Sequence, residues 1–369
     1  MPQQRTLPVS RLERIAQARQ ITLLDRHGTQ SGLIDPWIEQ SWQRCLQRGQ
    51  RAQDTVVFEA VSRSTLAATA ESNHTLVETA RPVIRQLARA IADTRYFAIL
   101  TNHQGVVVDV DGVMDHSDKR VTSIARVGVD LSEQSVGTTA IGAALTELRP
   151  VWLHRGEHFF KDTSVYSCAG APLFGPDGRC VGMLDVTGVE TPERPELRHL
   201  VTQSVRNIEN ALVMQRQHRL MLRVNWPGAA MGLESDGLIG LDEDGMVVSA
   251  NQAARSLLPE LQHMAHSTLH CHDLFATPHE LLFDAAHRQN SLETPLWNGL
   301  RLQVHGLLHE RRSIRSSKTA ELQAGMPLKD LETTLIRQSV DEHKGNVAEA
   351  ARALGISRAT VYRKLKIKR

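Results

Sequence analysis

The last 26 residues, 344–369, read KGNVAEAARALGISRATVYRKLKIKR. Alanine-rich residues 347–354 predict a short helix, Gly355 breaks it, and residues 357–366 predict another helix after the turn. Upstream, residues 328–343 carry apolar side chains at helical spacing, which predicts a preceding helix. The stretch is therefore predicted to form three short helices with a tight turn between the last two.

The same stretch concentrates positive charge. It holds eight basic residues against one acidic residue, a formal charge of +7, whereas the whole chain carries +2, so the preceding 343 residues carry −5. A slightly acidic body with a basic end is typical of a modular nucleic-acid binder, and a uniformly basic coat is excluded. A solvated basic tail is the alternative interpretation.

The last two helices have the features of a helix-turn-helix, in which the second helix lies in the major groove of DNA. Ala350 and Ala351 allow a close helix crossing, and Asn346 and Ser357 are placed to cap the two helices. Arginine binds guanine with two hydrogen bonds, whereas lysine contacts phosphate. The candidate DNA-contacting residues are Ser357, Arg358, Thr360, Arg363, Lys364 and Lys366. An ordinary helical hairpin with a basic surface is the alternative.

GNVAEAA at 345–351 and YRKL at 362–365 resemble the Fis-type helix-turn-helix that ends many bacterial transcriptional activators. That resemblance implies that the helix preceding the pair builds a dimer interface. We therefore expect a homodimer on double-stranded DNA.

Short strand candidates alternate with helices in the body of the chain, which predicts a mixed α/β arrangement. Two hairpins are expected, Tyr96–Thr101 with Val106–Val110 and Ala169–Phe174 with Cys180–Thr187; the second is joined by GPDG at 175–178, a sequence suited to a tight turn. A further strand and a long amphipathic helix are expected at Pro150–His154 and Pro195–Gln217.

EQSVGTTAIG at 133–142, and SCAGAP at 167–172 through GMLD at 182–185, resemble the GAF domain of acetoin-catabolism-type regulators. EQSWQRCL at 39–46 resembles the helical segment that precedes this domain in the same family. The resemblance implies a six-stranded sheet that encloses a pocket for a small-molecule effector. Residues 236–242 and 247–254 resemble the opening of a PAS domain.

These observations predict an α+β multidomain chain in which GAF-like and PAS-like α/β sensor domains precede an all-α Fis-type helix-turn-helix. The expected parts are an N-terminal helical segment (1–80), a GAF-like domain (81–217), a degenerate PAS-like domain (225–306), a linker (307–326) and the helix-turn-helix (327–369).

Regulators of the resembled architecture usually carry an ATP-hydrolysing AAA+ domain, which acts on sigma-54 polymerase, between the sensor and the DNA-binding end. Such a domain needs the phosphate-binding sequence GxxxxGK[ST], and this chain contains no Gly-Lys dipeptide. The interval between residues 306 and 327 is also too short for a domain. We expect a one-component regulator that acts without ATP hydrolysis, through DNA, RNA polymerase or another regulator. The alternative is an anti-activator that forms heterodimers with a full-length relative.

Six side chains in the predicted GAF-like domain are candidates for an effector pocket. They are Tyr96, Phe97, Trp152, His154, Tyr166 and Asp185. The alternative is that they form the core of the domain.

No catalytic residue, metal site or cofactor is expected. Five histidines between His263 and His279 surround Cys271, but the sequence favours a solvated loop over a zinc or iron site. Cys168 and Cys180 flank the second predicted turn without directly facing each other, so a thiol reductase is the enzymatic alternative.

Composition excludes several other classes of protein. No apolar run is long enough to span a membrane, and the first twenty residues lack the apolar core of a signal peptide. Aromatic residues make up 4% of the chain, too few for a surface that binds bases mainly by stacking. Four widely separated cysteines indicate no disulfide framework, and we expect a cytoplasmic protein.

Overall fold

The computed structural model describes residues 10–24, 30–263, 268–309, 336–337, 339–340, 346–354, 356 and 358–365. The chain divides into two compact units, one ending at His309 and one beginning at Glu310. None of the described helices is long and apolar enough to cross a membrane.

The first unit begins with helices. They are α1 (Arg11–Arg19), α2 (Pro36–Gln47), α3 (Arg63–Ser72) and α4 (His74–Ala90). Strands and short helices follow: β1 (Tyr96–Asn102), β2 (Val107–Asp111), α5 (Lys119–Ile124), α6 (Glu133–Val136), α7 (Ala140–Glu147), β3 (Val151–His154), β4 (Tyr166–Phe174), β5 (Cys180–Val189) and the long α8 (Leu197–Gln215).

The first sheet is antiparallel in the order β2-β1-β5-β4-β3. Both predicted hairpins, the predicted third strand and the long helix are confirmed, each within a few residues of its expected ends. The GAF resemblance implied six strands, whereas this sheet has five in the described part of the chain.

Alternation along the strands gives this sheet two buried faces. Tyr96, Ala98 and Leu100 belong to the apolar cluster shared with α4 and α8. Phe97 and Ile99 point the other way, into the cluster shared with α2, α5 and α7. Because side chains of a strand alternate between faces, one hairpin contributes to both layers.

The N-terminal helices belong to the first domain's core. Trp37, Ile38, Trp42 and Cys45 of α2 are buried in the same cluster as Phe97 of β1. Helix α2, which lies within the predicted N-terminal segment (1–80), therefore packs on the sheet that follows it.

The rest of the first unit is a second antiparallel sheet with short helices. Its elements are β6 (Leu220–Asn225), β7 (Gly237–Leu241), β8 (Val247–Ala250), α9 (Gln252–Leu257), α10 (Cys271–Leu274), α11 (His279–His287), β9 (Ser291–Pro295) and β10 (Arg301–Leu308). The strand order is β8-β7-β6-β10-β9, so β6 lies at the centre. Sequence analysis missed β6, and the predicted domain start at 225 falls on the last residue of this central strand.

The second unit contains α12 (Val347–Ala353) and α13 (Arg358–Leu365), which the sequence predicted. The predicted cap is present, because the backbone N–H of Glu349 donates to Oδ1 of Asn346 at 3.3 Å. A small apolar cluster holds the helices together, with its buried members Ile336, Val340, Ala351 and Val361. Most of the predicted linker and of the predicted helix at 328–343 lies outside the described residues.

Candidate functional site

A cavity lies between the first sheet and the helices on one of its faces. Its apolar wall consists of Phe58, Ile99, Ile124, Leu131, Ala140 and Ile141. The space between the lining atoms measures about 340 Å³, of which about 30 Å³ admits the centres of water-sized molecules. About 10–15 Å³ of such space is enough for one water, so the cavity as it stands has room for two or three.

The polar side of the cavity comes from β4 and β5. Tyr166 and Cys168 alternate along β4, and Asp185 and Thr187 alternate along β5, so all four side chains enter the cavity from the same face. Strand register places Cys168 directly opposite Thr187. The hairpin thus brings a carboxyl, a hydroxyl and a thiol together.

Asp185 is fully buried in this polar group. One carboxylate oxygen, Oδ2, accepts a hydrogen bond from the Thr187 hydroxyl. The other, Oδ1, has no hydrogen-bond partner among the described residues. Burial, which disfavours the charged carboxylate, raises the pKa of Asp185 to about 7, and the interactions with the Thr187 hydroxyl and the Val186 backbone N–H oppose that rise only in part.

His158 and Cys168 form a neutral pair on the same wall. Burial lowers the pKa of His158 to about 4, and Nδ1 of its ring lies 2.9 Å from the Arg155 carbonyl oxygen. The Cys168 sulfur lies 3.5 Å from Nε2 of His158, and burial raises the pKa of its thiol well above the usual value. A nucleophilic thiol needs a lowered pKa, so this geometry does not favour a thiol enzyme.

Cys180 offers no second reactive thiol to this wall. Register places it opposite Phe174 at the other end of the hairpin, away from Cys168. Burial raises the pKa of the Cys180 thiol as well. A disulfide-forming pair is therefore absent from this hairpin.

Only two of the six predicted effector residues line the cavity, namely Tyr166 and Asp185. Tyr96 and Trp152 belong to the core on the opposite face of the sheet, and His154 stacks on Trp152 with ring planes 11° apart. Phe97 points toward the cavity side but packs in the core beside it. Tyr96, Trp152 and His154 lie outside the cavity lining because residue type alone does not show which face a strand position occupies.

The loop that carries His158 is held by the N-terminal helices, which sequence analysis did not associate with the site. Arg19 of α1 donates hydrogen bonds to the carbonyls of Gly156, His158 and Phe159 at 2.6–2.9 Å. Trp42 of α2 donates from Nε1 to the Glu157 carbonyl at 2.8 Å. These bonds fix one wall of the cavity.

An ion-pair cluster joins the two motifs that carry the family resemblance. Glu133 is 5% exposed and accepts hydrogen bonds from Arg44, Arg48 and Ser41 at 2.7–3.0 Å. Burial acts to raise the pKa of Glu133, but the bonds from Arg44, Ser41 and Arg48 outweigh it and lower the pKa. The residues at 39–46 and 133–142 therefore form one structural unit.

A polar junction joins the turn between β4 and β5 to the second sheet. Arg255 of α9 is 4% exposed and donates to the Pro176 carbonyl at 2.9 Å, which also accepts the Ala250 backbone N–H at 2.9 Å. Nearby, Asn251 donates from Nδ2 to Oδ1 of Asn210 in α8 at 2.7 Å. The hairpin that carries Asp185 is thus anchored at its far end by the second domain.

Three rings of the histidine-rich region form a cluster in the described part of the chain. The rings of His270, His272 and His279 have centroids 4.8–5.8 Å apart. Nε2 of His270 lies 2.8 Å from the Asp244 carbonyl, and its Nδ1 accepts the His272 backbone N–H to cap α10. Within the described ranges, no group of three or more His, Cys, Asp or Glu side chains is arranged to hold a metal ion. His266 and the side chain of His263 lie outside the described residues.

The candidate DNA-contacting residues lie on or next to α13. Arg358 is exposed at its first turn, Thr360 is partly buried, and Val361 is fully buried. Arg363 and Lys364 belong to the same helix, but their side chains are outside the described part of the chain. Ser357 and Lys366 are outside it altogether.

Two protein-family models match parts of this chain. Residues 327–366 match the family model described as bacterial regulatory protein, Fis family. The acetoin catabolism regulatory protein of Cupriavidus necator is 28% identical over 230 residues, which cover 61% of this chain and 34% of that protein. The propane 2-monooxygenase operon transcriptional activator MimR of Mycolicibacterium smegmatis is 31% identical over 140 residues, which cover 37% of this chain and 24% of that protein.

The chain thus spans between a quarter and about a third of the length of these curated relatives. Among solved structures, the E. coli DhaR(N)-DhaL complex aligns with a TM-score of 0.46 and 15% identity, over 74% of this chain and 99% of that chain. The family model described as MimR, N-terminal domain, matches residues 17–210. This range is more than half of the chain and includes every residue of the cavity, and the chain therefore belongs to that family.

Proposed function

We propose that this protein is a sequence-specific, one-component transcriptional regulator that senses a small organic effector and acts without ATP hydrolysis. The observation that carries the proposal is the match of residues 327–366 to Fis-family regulators, in the part of the chain where α12 and α13 pack around Val361 and leave Arg358 exposed. The named functions of the relatives support it, since both are regulators of transcription.

In this proposal α13 enters the major groove of DNA. Arg358 and Thr360, near its start, contact base edges, while Arg363, Lys364, Ser357 and Lys366 contact bases and phosphates. The chain acts as a homodimer, so two copies of α13 bind the halves of an inverted repeat.

The first domain is the GAF-like sensor in this proposal, and the second sheet is a degenerate PAS-like domain that receives its signal. The cavity, with a buried carboxyl on one side and apolar side chains on the other, supports an effector site. The junction at Arg255 supports a connection, because it attaches the second domain to the hairpin that lines the cavity.

A fluorescence-anisotropy titration against the DNA upstream of the protein's own gene tests the proposal. We expect Arg358→Ala to weaken specific binding by about 1–3 kcal/mol, or roughly 5- to 150-fold, at constant salt. Arg198→Ala removes the same charge from an exposed position on α8 and serves as the matched control. Equal affinity of the Arg358→Ala protein and the control for this DNA would refute the role of α13.

A second function is supported by the sequence that the chain shares with other regulators. Such a chain would form heterodimers with a longer relative and reduce its activity. Pull-down of a full-length relative, combined with no DNA binding by the pure protein, would support this function over the first.

A further inference from the structure

The cavity contains one buried polar oxygen without a partner. Among the described lining residues, Oδ1 of Asp185 is the buried side-chain atom that lacks a hydrogen bond. A buried oxygen left without a hydrogen bond loses about 1–3 kcal/mol relative to water, so the site favours an occupant that donates one.

The other polar groups of the cavity are already paired. The Tyr166 hydroxyl donates to the Arg120 carbonyl at 3.0 Å, and the Thr163 hydroxyl donates to the Phe160 carbonyl at 3.0 Å. Thr139 accepts the Gly142 backbone N–H at 3.1 Å. One open acceptor matches an occupant with one donor hydrogen, such as a hydroxyl group, better than an ammonium group with three.

The charge of the lining residues narrows the class of ligand further. No lysine or arginine lines the described cavity, so a carboxylate or phosphate ligand would face the Asp185 carboxyl without a compensating cation. An unpaired buried charge is costly, which excludes anionic ligands. His158 does not supply positive charge, since its buried ring stays neutral at ordinary pH.

The size of the cavity and its apolar wall determine which non-polar group the ligand can carry. Opposite the polar side lie Ile99, Ile124 and Ile141, which suit a short alkyl group. The open space has room for two or three waters, so it suits a ligand of a few heavy atoms better than a fused ring system.

We propose that the cavity binds a small uncharged aliphatic alcohol whose hydroxyl donates to Oδ1 of Asp185 and whose alkyl part packs on the isoleucines. This assignment rests on the proposed sensor function of the same cavity. The competing occupant is an ordered water that donates to the same oxygen.

Matched four-carbon probes test the assignment on the full-length protein. Dissociation constants of butan-2-ol, butanone, 2-aminobutane and isobutyrate are measured by ligand-detected NMR at pH 8, above the pKa of Asp185. A hydrogen bond to a charged group contributes about 1.5–3 kcal/mol, so we expect the alcohol to bind roughly 10- to 150-fold more tightly than the ketone. In Asp185→Leu that preference should disappear, and Thr187→Val, which keeps the carboxyl, should retain it in part.

Each other outcome overturns the assignment. Equal binding of alcohol and ketone, or an alcohol preference that survives Asp185→Leu, removes the role of Asp185. Tighter binding of the amine indicates an ion pair, and tighter binding of isobutyrate contradicts the charge argument.

If no probe binds, water occupies the cavity and the assignment is wrong. DNA binding through Arg358 is measured separately, so this result would not contradict the DNA-binding part of the proposed function. If Asp185→Leu does not fold, Asp185→Asn replaces it, with a loss of at least several-fold in alcohol preference expected.

Discussion

The buried carboxyl of Asp185 makes the stability of the first domain depend on pH. Its pKa is raised from 3.8 to about 7 in the folded protein because burial disfavours the charged form. Between these values the folded state holds a proton that the unfolded state has released. The contribution of Asp185 to the free energy of unfolding is therefore fully present below about pH 4 and is lost as pH rises toward 7.

The size of the effect follows from the two pKa values. Each pH unit within the interval changes the free energy of unfolding by about 1.4 kcal/mol. Between pH 5 and pH 8 the contribution of Asp185 should fall by about 3 kcal/mol. Asp185→Asn keeps the shape of the side chain but cannot ionise. Between pH 5 and pH 8, the free energy of unfolding of the variant should therefore rise by about 3 kcal/mol relative to that of the wild type.

Urea unfolding followed by tryptophan fluorescence measures this difference. Trp42 and Trp152 are buried in the first domain and report its unfolding. Comparing wild type with Asp185→Asn at each pH cancels the opposite trend from His158, whose lowered pKa makes stability rise with pH between about 4 and 6.5. Asp93→Asn, at an exposed aspartate, is the control. A free-energy difference between wild type and Asp185→Asn that is the same at pH 5 and pH 8 would refute the reasoning.

Three further substitutions test the contacts around the site by urea unfolding. Arg255→Ala removes a buried guanidinium that donates to the Pro176 carbonyl and should destabilise the protein by about 2–4 kcal/mol, whereas Arg216→Ala at an exposed position should change little. Gly178→Ala forces a side chain into a left-handed backbone position (φ +86°), 2.6 Å from that guanidinium, and should cost about 1–2 kcal/mol; no loss would contradict the close packing. Glu133→Gln removes the carboxylate from two partly exposed arginines and should cost about 2 kcal/mol at pH 7, with the gap to wild type shrinking as pH falls and wild-type Glu133 becomes protonated.

Local sequence signals predicted much of the fold. The turn residues at 175–178 specified the hairpin of β4 and β5, because glycine, proline and aspartate restrict the backbone within a few residues. The cap at Asn346 and the break at Gly355 likewise specified where α12 begins and where it must end. Such signals act over four or five residues, so a single sequence contains them completely.

The candidate site was predicted less well. Asp185 and Tyr166 were identified, but Tyr96, Trp152 and His154 lie on the other face of the sheet. A shift of one residue along a strand exchanges the two faces, and both faces of this sheet are buried. With apolar residues required on both sides, hydrophobic pattern cannot show which face holds the cavity.

By itself, the sequence determined the short-range features of this protein, namely its hairpins, helix caps, basic C-terminal helix and family motifs. Only the tertiary structure showed that α1 and α2 hold the loop that forms one wall of the cavity, since Trp42 donates a hydrogen bond to the Glu157 carbonyl across 115 residues of chain. It also placed β6 at the centre of the second sheet and left one oxygen of Asp185 without a partner. These are long-range results of packing, because they depend on which surfaces meet after the local elements have formed.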